Sequence, residues 1–187
     1  MDRAIFLDKD GTLIEDLPYN VDPEKVVFLP GAWEGLALLQ RAGFRLVIVT
    51  NQSGVARGYF TEADQERLSG FFAGCFRSHG LSLAGFYYCP HLPEGMVPGY
   101  DIMCACRKPK PGLILRAADD LDIDLGGSWY IGNIATDIEA GRRAGCRTVL
   151  LKADPAAPPA AVRPDITARD IAEAAAMIGR CQPRSLI

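Results

Sequence analysis

No apolar run in the chain approaches the ~20 residues that span a bilayer, which argues against a transmembrane helix. A basic excess is also missing. Lys and Arg number 20 against 23 Asp and Glu, for a net charge of −3, which excludes the cationic footprint of a nucleic-acid or anionic-membrane binder. The start resembles no signal peptide, because Met1-Asp2-Arg3 runs straight into a short apolar segment and then Asp8. A cytoplasmic protein is therefore expected, with reduced cysteines. Under those conditions the six cysteines are no disulfide framework and are either buried or metal ligands. Internal repeats are absent too, and nothing in the apolar pattern calls for a second copy, so a monomer is expected.

What remains is ordinary globular material. The chain has 187 residues, 49% hydrophobic and 23% charged, enough for one domain with a full core, read here as residues 1–187. Apolar runs at 4–7, 44–49, 85–88, 128–131 and 148–151 read as buried strands. Helical spacing falls at 33–41, stopping at Gly43, and from an N-cap at Thr61 to Gly80. Further helices are expected from Pro111 to about Leu121, at 135–144 and at 171–178. Loops are expected at 16–30, from Cys89 to Lys110, and at 153–164. Strands alternating with helices predict an α/β fold with a doubly wound, mainly parallel sheet and no large cap domain. Ligands of such sheets bind beyond the carboxyl ends of the strands, and Asp8, Thr50 and Asn133 each fall there.

Asp8 and Asp10 are separated by one residue, so extended backbone would put both carboxylates on one face. Paired carboxylates repel unless a cation sits between them, and a hard cation such as Mg²⁺ takes oxygen ligands. One carboxylate can then attack phosphorus while the other moves protons. Taken alone, the pair reads equally well as an acidic turn after a strand. The longer run Asp8-Lys9-Asp10-Gly11-Thr12 resembles the first motif of the haloacid dehalogenase superfamily. That resemblance implies a Mg²⁺-dependent phosphatase. Asp8 would form a phosphoaspartyl intermediate, and Asp10 would protonate the leaving oxygen and then deprotonate water. The Asp8 carboxylate and the Asp10 main-chain carbonyl would bind the metal. Thr50, closing Val47-Ile48-Val49-Thr50, resembles the second motif and would hold phosphoryl oxygens. Lys108 resembles the third and would neutralise charge at the nucleophile.

The fourth motif departs from the family pattern. Gly132-Asn133-Ile134-Ala135-Thr136-Asp137 carries Asn133 where the relatives have a metal-binding Asp, and Ile134 where many have Lys. Asn133 and Asp137 are the further Mg²⁺ ligands the resemblance implies. Three accounts stand open: a tolerated exchange with Asp137 compensating, an engineered one, or a weak or inactive sugar-phosphate-binding relative.

Cys89-Pro90-His91 is followed by Cys104-Ala105-Cys106. Three thiols and an imidazole in a Pro/Gly-rich stretch with little core suit a closed tetrahedral Zn²⁺ site, with the loop at about 89–106. Cys75, Cys146 and Cys181 stand alone and read as ordinary cysteines, and His79 is given no chemistry. The zinc loop followed by Arg107-Lys108-Pro109 resembles two phosphatase groups, those acting on D-glycero-D-manno-heptose 1,7-bisphosphate and those acting on histidinol phosphate. The run Asn51-Gln52-Ser53-Gly54-Val55-Ala56-Arg57-Gly58 resembles the heptose group. The implied reaction removes the C7 phosphate of the bisphosphate, for the synthesis of surface polysaccharide such as lipopolysaccharide. Histidinol phosphate or another small sugar phosphate stays open as an alternative. Arg57 and Arg107 would grip a second phosphate, and Asn51, Gln52 and Ser53 would contact the sugar.

Overall fold

The computed structural model describes residues 1–151 and 163–181. The strands are β1 (Arg3–Leu7), β2 (Phe44–Asn51), β3 (Leu83–Cys89), β4 (Trp129–Gly132), β5 (Arg147–Leu151) and β6 (Ile166–Ala168). They form one sheet in the order β3-β2-β1-β4-β5-β6, and every pairing is parallel. The helices are α1 (Ala32–Arg41), α2 (Gly54–Arg57), α3 (Glu62–Ser78), α4 (Gly112–Leu121), α5 (Ala135–Ala144) and α6 (Ile171–Arg180).

The strands are apolar almost throughout because the sheet is buried on both faces. Successive side chains feed two separate cores. Ile5 and Leu7 of β1 point to one face, with Leu46, Ile48, Trp129 and Ile131, under α1, α3 and α6. Ala4 and Phe6 point to the other, with Val47, Val49 and Tyr130, under α4 and α5. Full burial of each large side chain contributes about 1.5–3 kcal/mol. Gly35 lets α1 approach α6: a Cβ there would lie 2.5 Å from the Ile171 carbonyl carbon.

The chain runs outward from β1 through β2 to β3, then returns to β1's other side to lay down β4, β5 and β6. Connections therefore diverge at the carboxyl ends of β1 and β4, which opens a crevice there. Asp8 follows β1, Asn133 follows β4, and Thr50 and Asn51 end β2.

Several boundaries differ from the sequence expectation. β2 runs on through Asn51, and β3 begins at Leu83 and reaches Cys89, so the first cysteine of the loop is anchored on the sheet. The single turn α2 and the three-residue β6 were not expected, being too short to show a period. The expected loop at 153–164 lies outside the described residues except for its last two. Thr61 caps α3 as expected: its hydroxyl accepts from the Asp64 amide, and the Asp64 carboxylate accepts from the Thr61 amide. The segment between Asp10 and α1 is tied down by an Ile14–Phe28 bridge, with the Phe28 ring packed 4.3 Å from Trp33. His79 stacks on Trp33 at 3.9 Å, a packing role. No helix among the described residues is long and apolar enough to cross a membrane.

Candidate active site

The turn after β1 sets the nucleophile. The Asp8 amide donates to Ile131 on β4, and the Lys9 carbonyl accepts from the amides of Thr12, Leu13 and Ile14. Gly11 takes φ +73°, and its missing side chain leaves room for the Asn133 amide. This tight loop aims both aspartates into a cleft of about 310 Å³, within the ~300–1,000 Å³ usual for ligand sites. Asp8, Asp10, Thr50, Asn51, Gln52, Ser53, Lys108 and Asn133 line it. Asp16, Pro18 and Tyr19 from the segment after Asp10 close one side, and Ile134 another.

Asp8 and Asp10 each meet a lysine. Lys108 Nζ lies 2.6 Å from Asp8 Oδ1 and 2.7 Å from Asp137 Oδ1. Lys9, only 1% exposed, places its ammonium 2.6 Å from Asp10 Oδ1. The carboxylate pair thus has a counter-charge from the protein itself. Burial pushes the Asp8 carboxyl up to about 7, with Lys108 pulling the other way and Asp137 adding to the rise. Burial opposes the charge on Lys108, but Asp8 and Asp137 outweigh it and hold the ammonium well above its ordinary range.

The amides expected at the sugar have protein partners. Gln52 Nε2 donates to Asp10 Oδ2 at 2.9 Å and to Thr50 Oγ1 at 3.0 Å. Asn51 clamps the Lys108 backbone, donating to its carbonyl and accepting from its amide. Asp137 is fully buried and does not line the cleft. Its Oδ1 faces Lys108, and its Oδ2 accepts from the amides of Asn133 and Ile134 at the start of α5. Asp137 thus holds Lys108 and caps α5. Arg57 and Arg107 also stay out of the cleft lining. The Arg57 guanidinium sits 5.9 Å from the Tyr19 ring, and Arg107 donates to the His91 carbonyl.

The donors that do face the cleft are suited to magnesium. Asp8, Asp10 and Asn133 offer oxygen, the hard-ligand set Mg²⁺ takes, with one formal charge fewer than an Asp at 133 would supply. Asn133 Oδ1 accepts from the Thr12 hydroxyl at 3.3 Å, which turns the amide oxygen toward the β1 turn.

Cys89, His91, Cys104 and Cys106 form the expected cluster. Cys106 Sγ lies 3.2 Å from both Cys89 Sγ and Cys104 Sγ, and Cys89 Sγ lies 3.6 Å from Cys104 Sγ. His91 Nδ1 is 3.3 Å from Cys106 Sγ and 3.7 Å from Cys89 Sγ. Zn–S bonds of ~2.3 Å in a tetrahedron imply edges of about 3.8 Å, so a small expansion around the ion satisfies the site. Sharing of protons with Cys89, Cys104 and His91 lowers the Cys106 thiol to about 5, the thiolate form that binds metal. Lys108 follows this cluster by two residues, and the Asn51 clamp fixes its main chain to β2.

Sequence reasoning missed Lys9 and Tyr130. Lys9 had a signal in its place between the aspartates. Tyr130, in a buried strand, had none.

Comparison with known proteins identifies the family. The HAD-hydrolase-like family model matches residues 105–174. A D-glycero-alpha-D-manno-heptose-1,7-bisphosphate 7-phosphatase of Burkholderia mallei is 43% identical over 152 residues, 81% of this chain and 80% of that one. The D-glycero-beta-D-manno-heptose-1,7-bisphosphate 7-phosphatase of Escherichia coli K12 is 42% identical over 148 residues, 79% of this chain and 78% of that one. Among solved structures, the D,D-heptose 1,7-bisphosphate phosphatase from B. bronchiseptica complexed with magnesium and phosphate superposes with a TM-score of 0.78 at 30% identity. It covers 96% of this chain and 99% of that one. With this much sequence shared across four fifths of its length, the chain belongs to the haloacid dehalogenase-like phosphatases, alongside the heptose-1,7-bisphosphate 7-phosphatases.

Proposed function

We propose that this protein hydrolyses the C7 phosphate of D-glycero-D-manno-heptose 1,7-bisphosphate, with Asp8 as nucleophile. The observation that carries the reading is Asp8 itself: a buried carboxylate at the end of β1, in the cleft, 2.6 Å from the Lys108 ammonium. An Asp8 oxygen attacks phosphorus and the ester P–O bond breaks. Asp10, one residue removed and in the same cleft, gives its proton to the departing sugar oxygen. Water then attacks the phosphoaspartyl group and Asp10 takes its proton, which restores Asp8 and releases phosphate. Thr50 and Lys108 hold the phosphoryl oxygens. The Asp8 carboxylate, the Asp10 carbonyl and Asn133 would hold magnesium, which would supply charge neutralisation at the phosphoryl group. Zinc in the cysteine–histidine cluster is structural, stiffening the loop that delivers Arg107 and Lys108.

The relatives' names carry both the alpha and the beta anomer, and substrate comparison separates the two. We place the enzyme in the cytoplasm as a monomer of one domain. Steady-state phosphate release with Mg²⁺ tests the reading. Heptose 1,7-bisphosphate is expected to be turned over faster than histidinol phosphate, and equal or reversed rates would contradict it. Asn133 favours a second reading, a weakly active or inactive sugar-phosphate binder, which tight binding without release would support.

A further inference from the structure

Tyr130 sits on β4 beneath the cleft, fully buried, in a strand position where an apolar side chain would suffice. A buried phenol hydroxyl is costly unless bonded. Its Oη is 3.0 Å from the Val49 carbonyl and 3.1 Å from Lys108 Nζ. A carbonyl only accepts and an ammonium only donates, so the proton of Tyr130 must go to Val49 and its lone pair must face Lys108.

Lys108 has three N–H groups and four acceptors within reach. Asp8 Oδ1 at 2.6 Å and Asp137 Oδ1 at 2.7 Å take one each. The third is left to Tyr130 at 3.1 Å and the Val49 carbonyl at 3.2 Å. The Val49 oxygen already accepts from Tyr130, which makes the phenol the better-placed partner. The ammonium is thus held between two carboxylates on one side and the phenol–carbonyl pair on the other.

We propose that Tyr130 is a positioning residue, one that keeps Lys108 aimed at Asp8 through the reaction. The inference rests on the phosphatase reading above. When the Asp8 oxygen bonds to phosphorus, its negative charge moves out onto the phosphoryl group. Asp137, whose charge is unchanged throughout, then becomes the strongest attraction on Lys108. The tie to Tyr130 opposes the ammonium's shift toward Asp137 and leaves it available to the transferring group.

Tyr130→Phe in the Mg²⁺-loaded protein tests this, with Trp129→Phe as comparator. Trp129 is the preceding residue, buried on the opposite face, and its indole N–H has no partner. Tyr130→Phe is expected to lower kcat about ten- to a hundredfold with KM within about twofold, as loss of one bond to a charged group does. Trp129→Phe is expected to lower Tm and leave kcat within about twofold. An unchanged kcat in Tyr130→Phe, or an equal fall in both variants, would overturn the proposal. A crystal structure of Tyr130→Phe gives a readout independent of turnover. Lys108 Nζ withdrawn from Asp8 supports the role, and Lys108 unmoved contradicts it. If the wild-type protein releases no phosphate from any ester, the phosphatase reading fails, while the position of Lys108 still decides the role of Tyr130.

Discussion

Asp8 is held where its charge is expensive, under burial and beside Asp137, and Lys108 offsets only part of that cost. In the metal-free protein the folded state keeps a proton on Asp8 up to about pH 7, while the unfolded chain loses it near 3.8. Over that window the folded state binds more protons, so stability falls as pH rises and the cost is complete above about 7. Asp8→Asn should flatten that part of the profile and abolish turnover. Urea midpoints of both proteins on either side of the window check the sign. Asn133 is the other residue whose charge matters. Asn133→Asp adds an anionic oxygen beside Gly11 and Thr12, and should raise Mg²⁺ affinity on the order of tenfold, with faster turnover. Calorimetric titration with Mg²⁺ reads the affinity directly; no change would remove Asn133 from the metal site.

Most elements were legible because the buried parallel strands are nearly continuous apolar runs and the helices carry their own start and stop residues. Thr61, Gly43 and Pro111 marked boundaries that the structure keeps to within a residue or two. β6 and α2 were not legible, since three or four residues hold no period. What the sequence placed together, the structure brings together: Asp8, Asp10, Thr50 and Lys108 in the cleft, and the four Cys and His residues in a group that could hold a metal. Side-chain partnership was not legible. Spacing could place Asn51, Gln52 and Asp137 near the strand ends, but not show that their polar groups are spent on Lys108, Asp10 and the start of α5. The loop from β3 to α4 brings Cys89, His91, Cys104 and Cys106 together as a group that could hold a metal. Removing zinc with a chelator and restoring Mg²⁺ should speed hydrogen exchange at 90–107 and raise KM, because Arg107 and Lys108 follow the last thiol. Unchanged exchange there would rule out zinc as the loop's support.

At the scale of the molecule, the sheet order does the positioning. Divergence at β1 and β4 brings together residues a hundred or more positions apart, Asp8 with Lys108 and Thr12 with Asn133. Among the described residues, the flap carrying Asp16, Pro18 and Tyr19 and the segment with Ile134 wall this crevice. The central claim, that Asp8 attacks the C7 phosphate, is tested most directly by ³¹P NMR of heptose 1,7-bisphosphate turnover with Mg²⁺. Wild-type protein should convert the C7 signal to inorganic phosphate and leave the C1 signal intact, and Asp8→Asn should do neither. Release of the C1 phosphate, or release by Asp8→Asn at the wild-type rate, would contradict the account.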